Sequence, residues 1–171
     1  AGTSSKSSNS TFMRLDDANL EHKIVDNELW LKSKTQVMGY LNSSMDNFTN
    51  DGWFITGDQV LEKKGYIKIL GRKSEIINIG GEKVYPQEIE NIILKIENIV
   101  DVTVTSEKNA ILGKTIKAIV CLKEPEERKI ISRRVRNFCK EHLEPYKIPQ
   151  KVEILENKLF SQRFKKIRNF K

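Results

Sequence analysis

One stretch decides the fold of this chain: GWFITGDQVLEKKGYIKILGRKSEIINIGGEKVYPQEIE, residues 52–90. It holds six of the chain's nine glycines, all between Gly52 and Gly81. Three segments within it stand out, at residues 56–58, 71–75 and 80–81. Because glycine adopts positive φ without steric cost, we expect backbone geometry rather than side-chain packing to govern these segments.

The first two segments bring an acid and a base close together in sequence. Thr56-Gly57-Asp58 is predicted to form a turn that presents a carboxylate. Residues 66–70 alternate and predict a strand, which residues 71–75 then leave. A carboxylate can accept two hydroxyl hydrogen bonds, and Arg72 offers a rigid fork of donors, so the two could bind a polyol or an anion. An aspartate after a glycine is also a common turn former, and spacing alone leaves both interpretations open.

The third segment, Gly80-Gly81, separates two short apolar runs and predicts a tight hairpin. Pro86 then opens a predicted helix, with Glu88 and Glu90 in its first turn, where the helix dipole favours acids. The apolar positions of this helix recur at helical spacing and are Ile89, Ile92, Ile93 and Ile96. The helix is therefore expected to bury one face.

Further strands are predicted on both sides of this stretch. Residues 20–31 predict two strands joined by a turn at residues 25–28. Residues 100–105 and 115–122 predict two more, with residues 106–114 as their connection.

A second helix is predicted over residues 126–143. Pro145 ends it, and a last strand follows at residues 152–155. Its apolar face comprises Ile131, Val135, Phe138, Cys139 and His142. Two helices against a small mixed sheet predict an α+β fold for this part of the chain.

The composition is that of a soluble globular protein, with 38% hydrophobic and 31% charged residues in a chain of 171. No apolar run approaches the ~20 residues that span a bilayer. The Ser-rich N-terminus shows no secretory signal, so we expect a cytoplasmic protein. Cys121 and Cys139 are expected to be buried thiols. His22 and His142 are too few to predict a metal site with them.

The net charge of +7 raises the question of a nucleic-acid partner. The excess is uneven: residues 158–171 carry six basic side chains and no acidic one, whereas residues 61–90 carry six basic against five acidic. No recognisable nucleic-acid module accompanies the basic tail, so specific nucleic-acid binding is not expected. Anionic small molecules such as nucleotides or CoA account for a basic face equally well.

Three motifs occur in the order, and near the spacing, of a known superfamily. They are WFITGD at residues 53–58, GYIKILGRKSEIINIGGEKVYPQEIE at residues 65–90 and EHLEPYKIPQKVEIL at residues 141–155. Over residues 20–171 the chain resembles the adenylate-forming enzymes, a superfamily of acyl-CoA synthetases, peptide-synthetase adenylation domains and luciferases.

The resemblance divides the chain after residue 71. It implies that residues 1–71 are the β-rich, barrel-like end of the large N-terminal domain and that residues 72–171 form the C-terminal lid domain. Residues 1–13 are poor in apolar side chains and are expected to be mobile. The Ala-Gly start is typical of an excised segment rather than a natural beginning.

The implied activity is that of an AMP-forming acid–thiol ligase. Such an enzyme activates a carboxylic acid with ATP and magnesium as an acyl-adenylate, and then transfers the acyl group to a thiol. The wording GGEKVYP at residues 80–86 is closer to acyl-CoA synthetases, which favours CoA over a carrier-protein phosphopantetheine as the acceptor.

The phosphate loop, the magnesium site and the acyl pocket of the family would lie upstream of this chain. We therefore expect the fragment alone to be inactive, because catalysis needs these parts positioned together. A non-catalytic binding module that keeps the lid fold is the alternative function.

The resemblance also implies roles for individual residues. Asp58 would hold the two ribose hydroxyls of ATP and of the acyl-adenylate, and Arg72 would also reach the nucleotide. Ser74 would be the hinge of the lid domain, at a position where relatives usually carry Asp or Lys. A small residue there can absorb the φ/ψ change that a hinge requires.

Two further elements would serve the two half-reactions. The hairpin Gly80-Gly81-Glu82 would enter the active site for thioester formation, where glycine leaves room beside the pantetheine channel. Lys166 would be the catalytic lysine, bridging the carboxylate and the α-phosphate. The family's lysine loop carries Pro, Thr and Gly, which are replaced here. Lys165 is a neighbouring candidate, and a merely solvated basic tail is a further interpretation.

Overall fold

A computed structural model describes residues 12–34, 46–109 and 113–155. The chain divides into two compact units, with the boundary between Ser74 and Glu75. The sequence placed a domain boundary three residues earlier. The assignment of the two units to the large and lid domains of a longer enzyme stays a prediction.

The first unit contains a four-stranded antiparallel sheet. Its strands are β1 (Leu20–Val25), β2 (Glu28–Ser33), β3 (Phe54–Lys63) and β4 (Tyr66–Arg72), in that order across the sheet. The two strands predicted within residues 20–31 are confirmed. Asp26 and Asn27 have φ of 51° and 61° and form the turn between them, which fits a two-residue hairpin.

The predicted turn at Thr56-Gly57-Asp58 is wrong, because these residues lie inside β3. Glu28 of β2 pairs with Gln59 of β3, but Trp30, only two residues further along β2, pairs with Ile55. The β3 strand therefore holds extra residues between these two pairs. Gly57 has a φ of +75° at this irregularity. A glycine in a strand interior thus marks a bulge here, and the sequence signal was misassigned to a turn.

Strand β4 also ends later than the sequence predicted. Gly71 and Arg72 are the last residues of β4, and the chain leaves the strand only in the short 3-10 turn Lys73–Glu75. Gly71 pairs with Gln59, and Arg72 pairs with Asp58. The cross-strand partners on β3 therefore extend β4 by two residues beyond the alternating run.

The second unit is an α+β fold, as predicted. A hairpin of β5 (Ile77–Ile79) and β6 (Glu82–Val84) leads into α1 (Pro86–Ile93). Strands β7 (Ile99–Asn109) and β8 (Gly113–Leu122) are followed by α2 (Arg128–His142), the 3-10 turn Pro145–Lys147 and β9 (Lys151–Ile154). The sheet order is β7-β8-β9, with β7 antiparallel and β9 parallel to β8, so the sheet is mixed.

Several boundaries differ from the prediction. Helix α1 ends at Ile93, yet Ile96 remains buried beyond its end. Most of the predicted connection at residues 106–114 is strand, since β7 extends to Asn109 and β8 starts at Gly113. Pro145 opens a 3-10 turn instead of directly ending α2. The ends of β7 and β8 follow from their mutual pairing, which the local sequence does not show.

The core of the second unit lies between the helices and the sheet. It includes Ile89 and Ile93 of α1, and Ile131, Val135 and Cys139 of α2, all fully buried. Burial raises the pKa of the Cys139 thiol to about 11, so this thiol is neutral at physiological pH. Cys121 is also buried, and both cysteines are free, as expected. In the part of the chain that the structure describes, no helix is long and apolar enough to cross a membrane.

Glu90 ties α1 to the sheet. It was predicted as a first-turn acid, but only Glu88 occupies that turn. Glu90 is 3% exposed, and its Oε1 accepts a hydrogen bond from the backbone N–H of Val104 at 2.8 Å. Glu88 instead forms a partly exposed ion pair with Lys147 at 2.9 Å. The two glutamates of one helix therefore differ sharply in environment.

We expect Glu90→Ala to lower the free energy of unfolding by about 1–3 kcal/mol, because a buried N–H loses its acceptor. Glu88→Ala on the same helix is the control, and its loss should stay below about 1 kcal/mol, since its ion pair is partly exposed. Urea unfolding followed by circular dichroism measures both. Equal losses would show that the buried hydrogen bond contributes no more than the surface pair.

Candidate functional site

The site predicted from the first two segments is formed by Asp58 and Arg72. Strands β3 and β4 place the two residues directly opposite each other. Arg72 Nε lies 2.9 Å from Asp58 Oδ1, with the side chains 57% and 23% exposed respectively. The structure thus brings the carboxylate and the guanidinium into direct contact while both reach solvent.

Thr56 holds this pair in place. Its carbonyl oxygen accepts a hydrogen bond from Arg72 Nη1, so the guanidinium is fixed at two points. Its buried hydroxyl donates to the Leu29 carbonyl at 2.7 Å and accepts from the Asp58 backbone N–H at 3.0 Å. One threonine therefore orients both the arginine side chain and the backbone of the aspartate.

A second ion pair joins this sheet to the 3-10 turn after β4, and the sequence did not predict it. Lys73 Nζ lies 3.0 Å from Glu28 Oε2, and Glu28 is only 6% exposed. Glu28 was assigned to a turn and Lys73 had no assigned role. The two residues are far apart in sequence, and no local pattern predicts their contact. Arg72 and Lys73, adjacent in sequence, thus each contact a carboxylate of the first unit.

This arrangement suits a ligand that offers hydroxyl and anionic groups. The carboxylate of Asp58 can accept hydrogen bonds from hydroxyls, and the exposed guanidinium of Arg72 can donate to phosphate or carboxylate oxygens. In the part of the chain that the structure describes, no group of three His, Cys, Asp or Glu side chains could hold a metal ion.

The predicted hairpin is confirmed, and so is the positive φ expected of its glycines; their place beside a pantetheine channel stays a prediction. Gly80 and Gly81 have φ of +57° and +94°, which favours glycine at both positions. A Cβ added at either would meet no atom within 4 Å, so crowding within the chain does not exclude a side chain. Glu82 follows at the exposed start of β6.

The remaining predicted residues are less constrained by the structure. Ser74 is exposed within the turn Lys73–Glu75, at the last position of the first unit. Lys165 and Lys166 lie outside the described residues, so the catalytic lysine stays a prediction.

We expect Gly57→Ala to change the surroundings of the Asp58–Arg72 pair without breaking it, because the added Cβ would lie in van der Waals contact with Arg72 Nη1, at 3.5 Å. Gly65→Ala is the control: its φ of +76° matches the +75° of Gly57, but its Cβ would meet nothing within 4 Å. Both variants should lose about 1–2 kcal/mol of stability through left-handed backbone strain. Only Gly57→Ala should shift the Arg72 Nε–H signal in a proton–nitrogen correlation spectrum; a similar shift in both would refute a local effect.

Comparison with known proteins identifies the second unit. Residues 88–171 match the family of AMP-binding enzyme C-terminal domains. The long-chain-fatty-acid–CoA ligase of Salmonella typhimurium (strain LT2) is 31% identical over 132 residues, which cover 75% of this chain and 23% of that protein. The 2-succinylbenzoate–CoA ligase of Listeria monocytogenes is 34% identical over 140 residues, which cover 80% of this chain and 29% of that protein. The chain thus spans less than a third of these relatives.

Solved structures agree in fold. The o-succinylbenzoate CoA synthetase of Bacillus subtilis, in complex with its acyl-adenylate intermediate, matches with a TM-score of 0.77 at 28% identity, over 88% of this chain and 33% of that one. An anthranilate CoA ligase in complex with anthranoyl-AMP gives the same TM-score of 0.77 at 22% identity, over 88% of this chain and 32% of that one. The family match and the similarity to the two CoA ligases, with the ordered motifs, show that the chain belongs to the adenylate-forming, AMP-binding enzyme superfamily, as an acyl-CoA synthetase-like member.

Proposed function

We propose that this chain is the end of the large domain (residues 1–71) and the lid domain (residues 72–171) of an AMP-forming acid–thiol ligase. The parent enzyme converts a carboxylic acid and ATP to an acyl-adenylate and pyrophosphate, and then passes the acyl group to a thiol. The observation that carries this proposal is the Asp58–Arg72 pair, held at 2.9 Å and oriented by Thr56.

In this proposal Asp58 binds the ribose of the nucleotide. A carboxylate fixed on a strand can accept hydrogen bonds from both the 2′- and 3′-hydroxyls. Arg72 has two functions: its Nε holds Asp58, and its exposed donors face the anionic part of the nucleotide. Because Thr56 fixes both residues before ligand arrives, little ordering cost remains at binding.

The acceptor is proposed to be CoA, since the relatives named above are CoA ligases. A carrier-protein phosphopantetheine is the alternative acceptor. The acid is a fatty acid in one relative and a succinylbenzoate in the other, so this chain's acid is proposed only as a carboxylic acid. The magnesium ligands and the acyl pocket are proposed to lie outside residues 1–171, and the isolated chain to be inactive for that reason.

The two half-reactions are proposed to use different parts of the second unit. Lys166 serves adenylation as a positioned cation on the developing phosphoryl charge. The hairpin Gly80-Gly81-Glu82 serves thioester formation, and Ser74 is the hinge between the two arrangements. A non-catalytic module that keeps the fold is the second candidate, favoured by the replaced residues of the lysine loop.

In the full-length parent, Asp58→Ala should lower kcat/KM for ATP at least about tenfold, because two hydroxyls lose a charged acceptor worth about 1.5–3 kcal/mol each. Glu62→Ala is the control, since Glu62 is an exposed acid on the same strand. ATP–pyrophosphate exchange with saturating acid measures the effect. A loss smaller than about tenfold for Asp58→Ala means that the ribose role is wrong.

Lys166→Ala in the parent should slow adenylation about a hundredfold or more, and leave thioester formation from supplied acyl-adenylate nearly unchanged. Gly81→Leu should do the reverse. Gly65→Leu is its control, because Gly65 is another positive-φ glycine with no atom within 4 Å of an added Cβ. Pyrophosphate exchange and acyl transfer are assayed separately. If Lys165→Ala alone slows adenylation, the catalytic lysine is Lys165; if neither variant does, the binding module is favoured.

A further inference from the structure

A groove of about 660 Å³ runs along α2 and the start of β9. It is called the basic groove here, after the six cationic residues that line it: Arg128, Lys129, Arg133, Arg136, Lys140 and Lys151. Ser132 and Asn137 add neutral hydrogen-bonding groups, and no acidic side chain lines it. None of these residues belongs to the Asp58–Arg72 pair or to the hairpin.

Four of the cations form a stripe on the exposed side of α2. Lys129, Arg133, Arg136 and Lys140 recur at i, i+4, i+7 and i+11, which places them on one helical face about 16 Å long. The buried face of α2 carries Ile131, Val135 and Cys139 instead. The stripe is therefore not needed for packing the helix.

The charges of the stripe are largely uncompensated. Lys129, Arg133 and Lys140 are exposed, and their side chains make no hydrogen bond or ion pair with any residue that the structure describes. The neighbouring Arg134, on another face of α2, does have a carboxylate partner, Glu126, at 2.9 Å.

The other arginines of the basic groove are fixed without being neutralised. Arg128 Nε donates to the Val152 carbonyl at 3.1 Å, and Arg136 Nη2 donates to the Gln150 carbonyl. Backbone carbonyls orient these guanidinium groups but carry no net charge. Lys151 alone among the groove cations contacts carboxylates in the described residues, Glu107 at 2.9 Å and Glu153 at 3.1 Å.

This arrangement is unfavourable for the helix by itself. Lys129 with Arg133, and Arg136 with Lys140, are like-charge pairs at i, i+4, and such pairs destabilise a helix. Fixed guanidinium groups surrounded by further cations favour a bound anion, because an anion would relieve this repulsion.

We propose that the basic groove binds a small ligand with two or more adjacent phosphate groups. Several anionic oxygens are needed to contact cations spread along three turns of helix, and a volume of about 660 Å³ lies in the range of small-molecule sites. No aromatic side chain lines the groove, so it lacks the stacking surface of a single-strand nucleic-acid site. Ile130 is the sole large apolar side chain exposed on α2, which is too little to anchor the helix in a lipid surface.

The test is calorimetric titration of the 171-residue chain with inorganic tripolyphosphate, with orthophosphate as the single-phosphate comparison. The groove variant is the triple change Lys129→Gln, Arg133→Gln, Lys140→Gln. The matched control is Lys95→Gln, Lys108→Gln, Lys114→Gln, which removes the same charge from exposed positions outside the groove. We expect saturable binding of tripolyphosphate, weaker by at least about tenfold in the groove variant and by less than about twofold in the control.

A second measurement tests whether the groove variant is folded. Because the three substituted groove residues have no described partner, the groove variant should keep the circular dichroism spectrum of the parent chain. Tripolyphosphate should raise the Tm of the parent chain and of the control but not of the groove variant. If the triple variant fails to fold, Arg133→Gln is compared with Lys108→Gln in the same titration.

Three outcomes would overturn the proposal. The first is no saturable binding of tripolyphosphate by the unmodified chain. The second is an equal loss in both triple variants, which would mean diffuse attraction by net charge. The third is groove-dependent binding of phosphatidylglycerol vesicles or of an RNA oligonucleotide that is tighter than that of tripolyphosphate, which would make the occupant a membrane or a nucleic acid. A parallel titration with ADP identifies the source of the phosphates: tighter binding of ADP indicates a nucleotide, and weaker binding indicates a free oligophosphate.

Discussion

The hydrogen bonds of Thr56 are the constraint on which the candidate site depends. Its hydroxyl joins Leu29 of β2 to Asp58 of β3, and its carbonyl receives the guanidinium of Arg72 from β4. Three strands are thus connected through one buried residue beside the irregularity at Gly57. Because the bulge re-aims the backbone there, the carboxylate and the guanidinium meet at the edge where both remain accessible. The chemistry of the site follows from this local departure from regular sheet geometry.

Much of the fold could be predicted from periodicity and from a few special residues. Gly80-Gly81 correctly indicated a hairpin, and the spacing of Ile89 and Ile93 correctly indicated the buried face of α1. The error at residues 56–58 has a definite cause: the same glycine signal marks turns and bulges, and the distinction depends on pairing with β2 and β4. The ends of β7 and β8 were also set by their mutual pairing, which no local window contains.

The candidate site was predictable in part. Asp58 and Arg72 were named from their segments, but the contact between them required the register of β3 with β4. The pair Glu28–Lys73 could not be found, because an ion pair between distant segments leaves no sequence pattern. Glu90 shows the opposite case. The helix dipole predicted a role for this acid in the first turn of α1, whereas in the structure its buried carboxylate accepts a hydrogen bond from Val104. The sequence therefore named candidate groups, whereas their contacts depended on strand register and burial.

The burial of both cysteines has a practical consequence for observing the two units. The chain holds two cysteines, and both thiols are shielded, the one at Cys139 also by its raised pKa. Alkylating probes react with exposed thiolates, so the two native thiols should not react under mild labelling conditions. Leu61 in the first unit and Val100 in the second are 50% and 58% exposed, and each could be replaced by a reporter cysteine in an otherwise unchanged background. The protein is thus already suited to distance spectroscopy across the Ser74–Glu75 junction.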